Sequence, residues 1–352
     1  MLVKRYNSTV RRYVMKNTVI AFTAPNEITL EDRTVEMPTG TRVLTKIEYS
    51  AISSGTERAN LSGDPTVSPY VVSDKAVFPR YCGYSSSGTV LAVGENVKSV
   101  KVGDRVALSW SLHERYCVSE EFNVHKIESP DLPLEVASLT HIATFPLAAI
   151  RKCALEIGES AMVMGLGVLG LIAVMLLRTS GAYPVIAVDP VESKRARALE
   201  LGADYALDPF DPDFAERVRD ICGGVKVAIE VTGNGKALDM ALDCMARFGR
   251  VALLGCTRSS DFTIDYYRKV HATGVSLIGA HTLARPSLES SHGMWTHHDD
   301  ANAILGLIKG GRLDLGALID EIHPVSEAHT VYDRLVNNKS FPTVIFDWSD
   351  VQ

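Results

Sequence analysis

What this chain lacks narrows its chemistry before any motif is read. The six cysteines, Cys82, Cys117, Cys153, Cys222, Cys244 and Cys256, form no C-x-x-C pair. Neither a disulfide framework nor a zinc ribbon is therefore indicated, and reduced thiols in a cytoplasmic protein are expected. No apolar run reaches the roughly 20 residues of a membrane span, because the most apolar stretch, residues 161–177, is broken by three glycines. Positive charge is not in excess: 36 Lys and Arg stand against 42 Asp and Glu, a formal net charge of -6. Nucleic acid thus finds no electrostatic foothold. Lys4, Arg5, Arg11 and Arg12 precede no apolar segment of secretory type, so residues 1–14 read as a frayed extension. Repeats and low-complexity tracts are missing as well.

What remains is ordinary globular composition over 352 residues, enough for two domains with separate cores. Residues 17–123 consist of short β-branched and aromatic runs between Gly, Pro, Asn and Asp turns, which predicts an all-β barrel or sandwich. Lys101-Val102-Gly103-Asp104-Arg105-Val106 puts a Gly-Asp reversal directly before one such run. After Pro133 the period changes to helical over residues 135–155. Beyond it strands alternate with helices of about a dozen residues, the pattern of βαβ units. Strands are predicted at 161–164, 185–188, 205–207, 227–230, 251–254 and 275–278, the six of a Rossmann sheet. Helices at 300–309 and 326–336 and a closing strand at 343–346 complete the tail.

The first of those six strands runs into Gly165-Leu166-Gly167-Val168-Leu169-Gly170 and then an apolar helix. This is G-x-G-x-x-G in the strand-turn-helix setting that holds a dinucleotide pyrophosphate at a helix N-terminus. Asp189 lies nineteen residues past Gly170, at the end of the next apolar run. A carboxylate there accepts from both ribose hydroxyls and repels a 2′-phosphate, so NAD is expected rather than NADP. Lys194 and Arg195 are the nearby cations; both are expected to face solvent, and Lys194 is kept as a cofactor candidate. Thr232 and Gly255, after the fourth and fifth strands, complete the candidate cofactor set.

With these motifs in place, the chain resembles the medium-chain dehydrogenase/reductase superfamily, the alcohol dehydrogenase-like enzymes, over nearly all of residues 15–347. Ser54-Gly55-Thr56-Glu57 is similar to that family's C-G-T-D, Gly83-Tyr84-Ser85-Ser86-Ser87-Gly88 to its G-H-E-x-x-G, and Val102-Gly103-Asp104-Arg105-Val106 to its V-G-D-R-V. Glu230-Val231-Thr232-Gly233 follows in the expected place. The resemblance implies an α/β fold in which a GroES-like β-barrel substrate domain, residues 15–150 and 291–352, carries an inserted doubly wound parallel-sheet Rossmann domain, residues 151–290. A homodimer or homotetramer acting on a small-molecule substrate is implied too, the strand at 275–278 being the edge that family dimers pair across.

The departures from the family pattern bear on mechanism. By the resemblance, the three catalytic zinc ligands fall at Ser54, Tyr84 and Phe145, with Ser85 in place of a supporting Glu, and the four-cysteine structural zinc loop is missing between Val106 and His113. Zinc takes thiolate, imidazole or carboxylate ligands, which Ser, Tyr and Phe do not supply. No metal is therefore expected, Cys82, His113 and His141 being the remaining ligand types nearby.

Without a metal, the charge that grows on oxygen during hydride transfer needs hydrogen-bond donors. Thr56 matches the family's proton-relay hydroxyl, Tyr84 is the candidate for polarising the oxygen, and Ser54 lies beside them. His141 is a candidate acid or base, against the plainer reading of a core histidine. His113, Trp110 and Tyr116 are read as cleft-lining or packing, Glu57 as orienting its loop or facing water, His281 as structural or ligand-facing. His297 and His298 are read as a solvated helix start. The expected function is NAD-dependent interconversion of a secondary alcohol, on a sugar or polyol for example, and its ketone. Two other readings stay open: an NADPH-dependent quinone or enoyl reductase, and a non-catalytic dinucleotide-binding sensor or scaffold.

Overall fold

The computed structural model describes residues 3–4, 13–68, 75–258, 262–338 and 340–351. Contacts divide the chain into two compact units, one of residues 1–142, 301–309 and 314–352, the other of residues 143–300 and 310–313. The division falls within the helix Thr140–Lys152, where an unbroken helical period carries no mark of a boundary.

The first unit is built mainly of antiparallel sheet. Strand Tyr13–Ala24 pairs along its length with Glu27–Glu36, and Val3–Lys4 pairs with Tyr13 and Val14. The first long strand therefore begins at Tyr13, ahead of residue 15, and part of the expected extension is sheet; residues 5–12 lie outside the described residues. A seven-stranded sheet centres on Arg42–Ala51 and Ser85–Val93, with Arg105–Ser109 and Val124–Lys126 on one side, Val344–Asp347 and Glu321–Pro324 on the other, and Tyr116–Glu120 paired with Arg42–Ala51. Its core gathers Ile20, Phe22, Ile47, Leu108, Tyr332, Phe346 and Trp348. The turn at residues 101–104 forms as read, Gly103 at φ +87° and Asp104 accepting from the Lys101 amide.

One expectation for this unit is corrected. Residues 17–123 are not all β, because Ser54–Leu61 is an α-helix. Eight residues with a glycine at the second position give too short a period to read. The helix is fixed at its start instead: the Ser53 amide donates to Glu57 Oε1 at 2.7 Å, a return contact of the kind a capping box makes. The helical region after Pro133 is likewise two helices, Leu134–Ala137 and Thr140–Lys152.

The second unit carries six parallel strands. In chain order they are Ala161–Met164, Val185–Val188, Tyr205–Leu207, Val225–Glu230, Met245–Leu253 and Ser276–Gly279, arranged in space as 3-2-1-4-5-6. That is the doubly wound Rossmann order, whose reversal beside the first strand opens the ligand crevice. Burial on both faces explains the continuous apolar runs of Ala161–Met164 and Val185–Val188, which are buried throughout. The fifth strand starts at Met245, earlier than expected, since its first residues are partly exposed and lack an apolar run. Among the described residues no helix is long and apolar enough to cross a membrane.

Candidate active site

Two constellations carry chemistry, one in each unit. In the Rossmann unit the strand Ala161–Met164 ends at Gly165, whose φ of +98° is left-handed and favours glycine. A Cβ on Gly170 would stand 1.9 Å from the Gly165 carbonyl oxygen, whereas one on Gly167 would meet nothing within 4 Å. Gly170 thus serves the close packing of turn on helix, and the backbone at Gly167 faces open space. Helix Val168–Thr179 begins there without a side-chain cap, leaving its first amides free to face an anion.

Asp189 closes the second strand and is buried. Its Oδ2 accepts from the Leu166 amide and its Oδ1 from the Val191 amide, each at 2.9 Å. The carboxylate therefore braces the glycine turn and keeps lone pairs for further donors. Arg195 does not face solvent as expected: its guanidinium donates to the Asp189 carbonyl at 2.7 Å and to Asp208 at 3.0 Å. An acidic partner in another loop holds it, which helix periodicity could not show. Lys194 is half-buried on helix Glu192–Glu200. Thr232 donates from its amide and its hydroxyl to Glu230, and burial pushes the Glu230 carboxyl upward. Gly255 fits against the same turn, its Cβ position 2.2 Å from the Gly233 nitrogen.

In the first unit, Ser54 and Thr56 lie half-buried in the first turn of Ser54–Leu61. Tyr84 stands just before strand Ser85–Val93, and its hydroxyl donates to Ser53 Oγ. The tyrosine ring packs 5.9 Å from His141 and 6.3 Å from Trp110, and those two rings lie 4.6 Å apart. Trp110 is 37% exposed and holds φ at +61°, an unfavourable conformation for a bulky side chain. Strain of this kind persists where the surroundings over-determine it, commonly at functional positions. The structure thus brings Tyr84, His141 and Trp110 together, with Ser53 as the partner that sequence reasoning missed. Ser85 takes a different part, donating to the Ser138 carbonyl and so tying its strand to the following helices.

Of the two readings open for His113, the structure has the packing one: it is wholly buried between Ser50 and Glu57. Glu57, also wholly buried, holds the Ser53 amide of its own loop rather than facing water. The helix start at His297 is only partly solvated. Thr296 and Asp299 cap it reciprocally, Asp300 is buried against Arg151 and Arg285, and burial lowers His297 to about 4, helped by Arg285 and His298. His281 is half-buried and accepts from the Leu283 amide at 3.3 Å.

Comparison with known proteins agrees with this architecture. Residues 39–144 match the alcohol dehydrogenase GroES-like domain and residues 168–292 the zinc-binding dehydrogenase family. L-threonine 3-dehydrogenase of Thermococcus kodakarensis is 28% identical over 276 residues, 68% of this chain and 73% of that relative. Alcohol dehydrogenase of Geobacillus stearothermophilus is 28% identical over 74% of this chain and 84% of its own length. The crystal structure of benzyl alcohol dehydrogenase from Acinetobacter calcoaceticus superposes with a TM-score of 0.80 at 20% identity, over 95% of this chain and 99% of that one. The chain belongs to the medium-chain dehydrogenase/reductase superfamily.

Membership makes this an alcohol dehydrogenase-like oxidoreductase and sets two fit tests. A nicotinamide dinucleotide fits: the open backbone at Gly167, the uncapped helix behind it and the Asp189 carboxylate are the donors and acceptor it requires. Zinc, named in one of the matching families, does not fit the residues at its usual positions. Ser54, Tyr84 and Phe145 offer no thiolate, imidazole or carboxylate, and among the described residues no group of three His, Cys, Asp or Glu is placed to hold a metal.

Proposed function

We propose that this medium-chain enzyme interconverts a secondary alcohol and its ketone with NAD, and that side-chain hydroxyls rather than zinc serve the reacting oxygen. The observation that carries the proposal is the Tyr84 to Ser53 hydrogen bond beside His141 and Trp110, Tyr84 standing where, by the family resemblance, a zinc enzyme places a ligand. The relatives' names point the same way: L-threonine 3-dehydrogenase, alcohol dehydrogenase and D-guloside 3-dehydrogenase all denote dehydrogenases. A sugar or polyol is our choice of substrate class.

Bound NAD supplies the hydride acceptor. The Rossmann unit's own part is to hold it, pyrophosphate at the amides after Gly167 and ribose at Asp189. In the first unit Tyr84 Oη carries the proton exchanged with the substrate oxygen, and Ser53 Oγ takes up or returns the hydrogen bond as the phenol changes partner. Thr56 relays the proton outward. Trp110 and His141 form the wall that orients the substrate. The sheet edge Ser276–Gly279, partly exposed, is our proposed contact for a homodimer or homotetramer.

The test is thermal unfolding of chelator-treated protein with NAD, NADH, NADP, NADPH or zinc added singly. A ligand at 100 times its Kd stabilises by about 2.7 kcal/mol. Stabilisation by NAD or NADH alone, followed by turnover on polyols, supports the proposal. Stabilisation by NADPH alone moves the assignment to a quinone or enoyl reductase, nucleotide binding without turnover on any alcohol or carbonyl points to a sensor, and a large zinc effect overturns the metal-free site.

A further inference from the structure

Beneath the Tyr84 and Ser53 pair lies a buried polar chain that the proposed mechanism does not use. Glu57 and His113 are 0% exposed, Tyr332 and Ser50 1%, and Trp348 0%. Trp348 Nε1 donates to Ser50 Oγ at 2.8 Å, and Ser50 Oγ lies 2.7 Å from His113 Nδ1. His113 Nε2 is 3.2 Å from Glu57 Oε2, to which Tyr332 also donates at 2.6 Å. Glu57 Oε1 in turn accepts from the Ser53 amide at 2.7 Å.

The donor inventory gives this chain a direction. An indole only donates and a carboxylate only accepts, so Ser50 accepts from Trp348 and, with His113 in the tautomer that donates from Nε2 to Glu57, donates its own hydrogen bond to His113 Nδ1. Every bond converges on one carboxylate, which receives three donors from segments as far apart as residues 53, 113 and 332.

Burying a carboxylate is costly, and an apolar side chain of similar volume would fill the space with less penalty. What the carboxylate does and an apolar group would not is hold the Ser53 amide, and so the partner of the Tyr84 hydroxyl, in register. The same chain reaches Tyr84 from its other side. His113 donates from its amide to Cys82 and Trp110 from its amide to Tyr84, each at 2.8 Å, so residues 110–113 are laced to 82–84. A Cβ on Gly83, at φ +94°, would stand 2.5 Å from the His113 nitrogen. The neighbours register the Glu57 charge: Tyr332 is raised well above the usual phenol range by burial and then by Glu57, and Cys82 likewise.

We propose that Glu57 is a positioning residue: with His113 and Tyr332 it fixes Ser53 and residues 82–84 so that the Tyr84 hydroxyl is aimed at the reacting oxygen. The role rests on Tyr84 being the proton carrier proposed above, but its first readout does not. In the full chain labelled with ζ-13C tyrosine, the Tyr84 signal is identified by its loss in Tyr84→Phe, then followed in Glu57→Gln, Ser53→Ala and the double variant. The expected result is that each single variant moves the signal and that the double variant moves it no further than Ser53→Ala does, because both act through one link.

An unmoved Tyr84 signal in folded Glu57→Gln overturns the proposal and leaves Glu57 a packing residue. Additive shifts do so as well. If Glu57→Gln does not fold, His113→Leu, which removes one donor, is read by the same signal with the same two outcomes. Once a substrate is found, kcat of Glu57→Gln is expected to fall about 100-fold, with KM little changed. A signal that behaves as expected in a protein with no turnover sinks the catalytic reading of Tyr84 while the positioning role stands.

Discussion

At the scale of single residues, the phenol of Tyr84 is the group whose removal should be felt in chemistry rather than in folding. Tyr84→Phe keeps the ring packing against His141 and Trp110 and deletes only the donor to Ser53. We expect kcat to fall by about 100-fold or more, the scale of a lost acid or base, while the NAD-induced rise in melting temperature stays intact. A Tyr84→Phe enzyme of full activity would remove the phenol from the mechanism.

His297 gives a second residue-scale prediction, in stability. Its folded value is lowered to about 4, first by burial and then by Arg285 and His298, against an unfolded value of about 6.5. The unfolded chain thus binds more protons between those values, and stability falls as pH drops from about 6.5 towards 4. His297→Gln should flatten that limb of the melting temperature against pH profile. An unchanged slope would mean that other groups govern acid unfolding.

At the scale of elements, the glycine turn and its helix depend on a close approach at one position. Gly170→Ala would put a methyl 1.9 Å from the Gly165 carbonyl oxygen, so the helix Val168–Thr179 must shift. Overpacking of this kind costs about 1–3 kcal/mol. Both a lower melting temperature and loss of nucleotide-induced stabilisation should follow in calorimetry, and retention of full NAD stabilisation would show that this turn does not hold the cofactor. Elements also mark where sequence reading stops. The strands Ala161–Met164, Val185–Val188 and Tyr205–Leu207 have the expected bounds; the first two are buried throughout, and a strand buried on both faces writes itself as an uninterrupted apolar run. The helix Ser54–Leu61 was illegible because its start is fixed by Glu57 and its packing by distant partners, Arg58 donating to the Leu335 carbonyl.

At the scale of the whole molecule, the proposed edge-to-edge contact predicts the assembly state. Ser276–Gly279 ends the parallel sheet in the order described, and an unpaired edge offers a row of amides and carbonyls to a second copy. Sedimentation should therefore find a dimer or tetramer, and Leu277→Pro, which removes an amide from that edge, should weaken it while leaving the Rossmann fold in place. A monomer in solution would discard the proposed contact.

Some of this protein was decided along the chain itself. A dinucleotide-binding turn needs glycine at fixed short spacings and an acid one strand later, so Gly165, Gly167, Gly170 and Asp189 could be proposed by reading, as could the departures at Ser54 and Tyr84. The groups around Tyr84 could not. Ser53 meets Tyr84 across 31 residues, Glu57 meets His113 across 56 and Tyr332 across 275. Local periodicity reports which way a side chain faces within its own element, whereas a hydrogen bond between elements depends on how sheets and helices pack. Only the tertiary structure therefore decided between the open readings of Glu57, orienting its loop or facing water, and of His113, cleft-lining or packing, and joined the two in one buried network under the site.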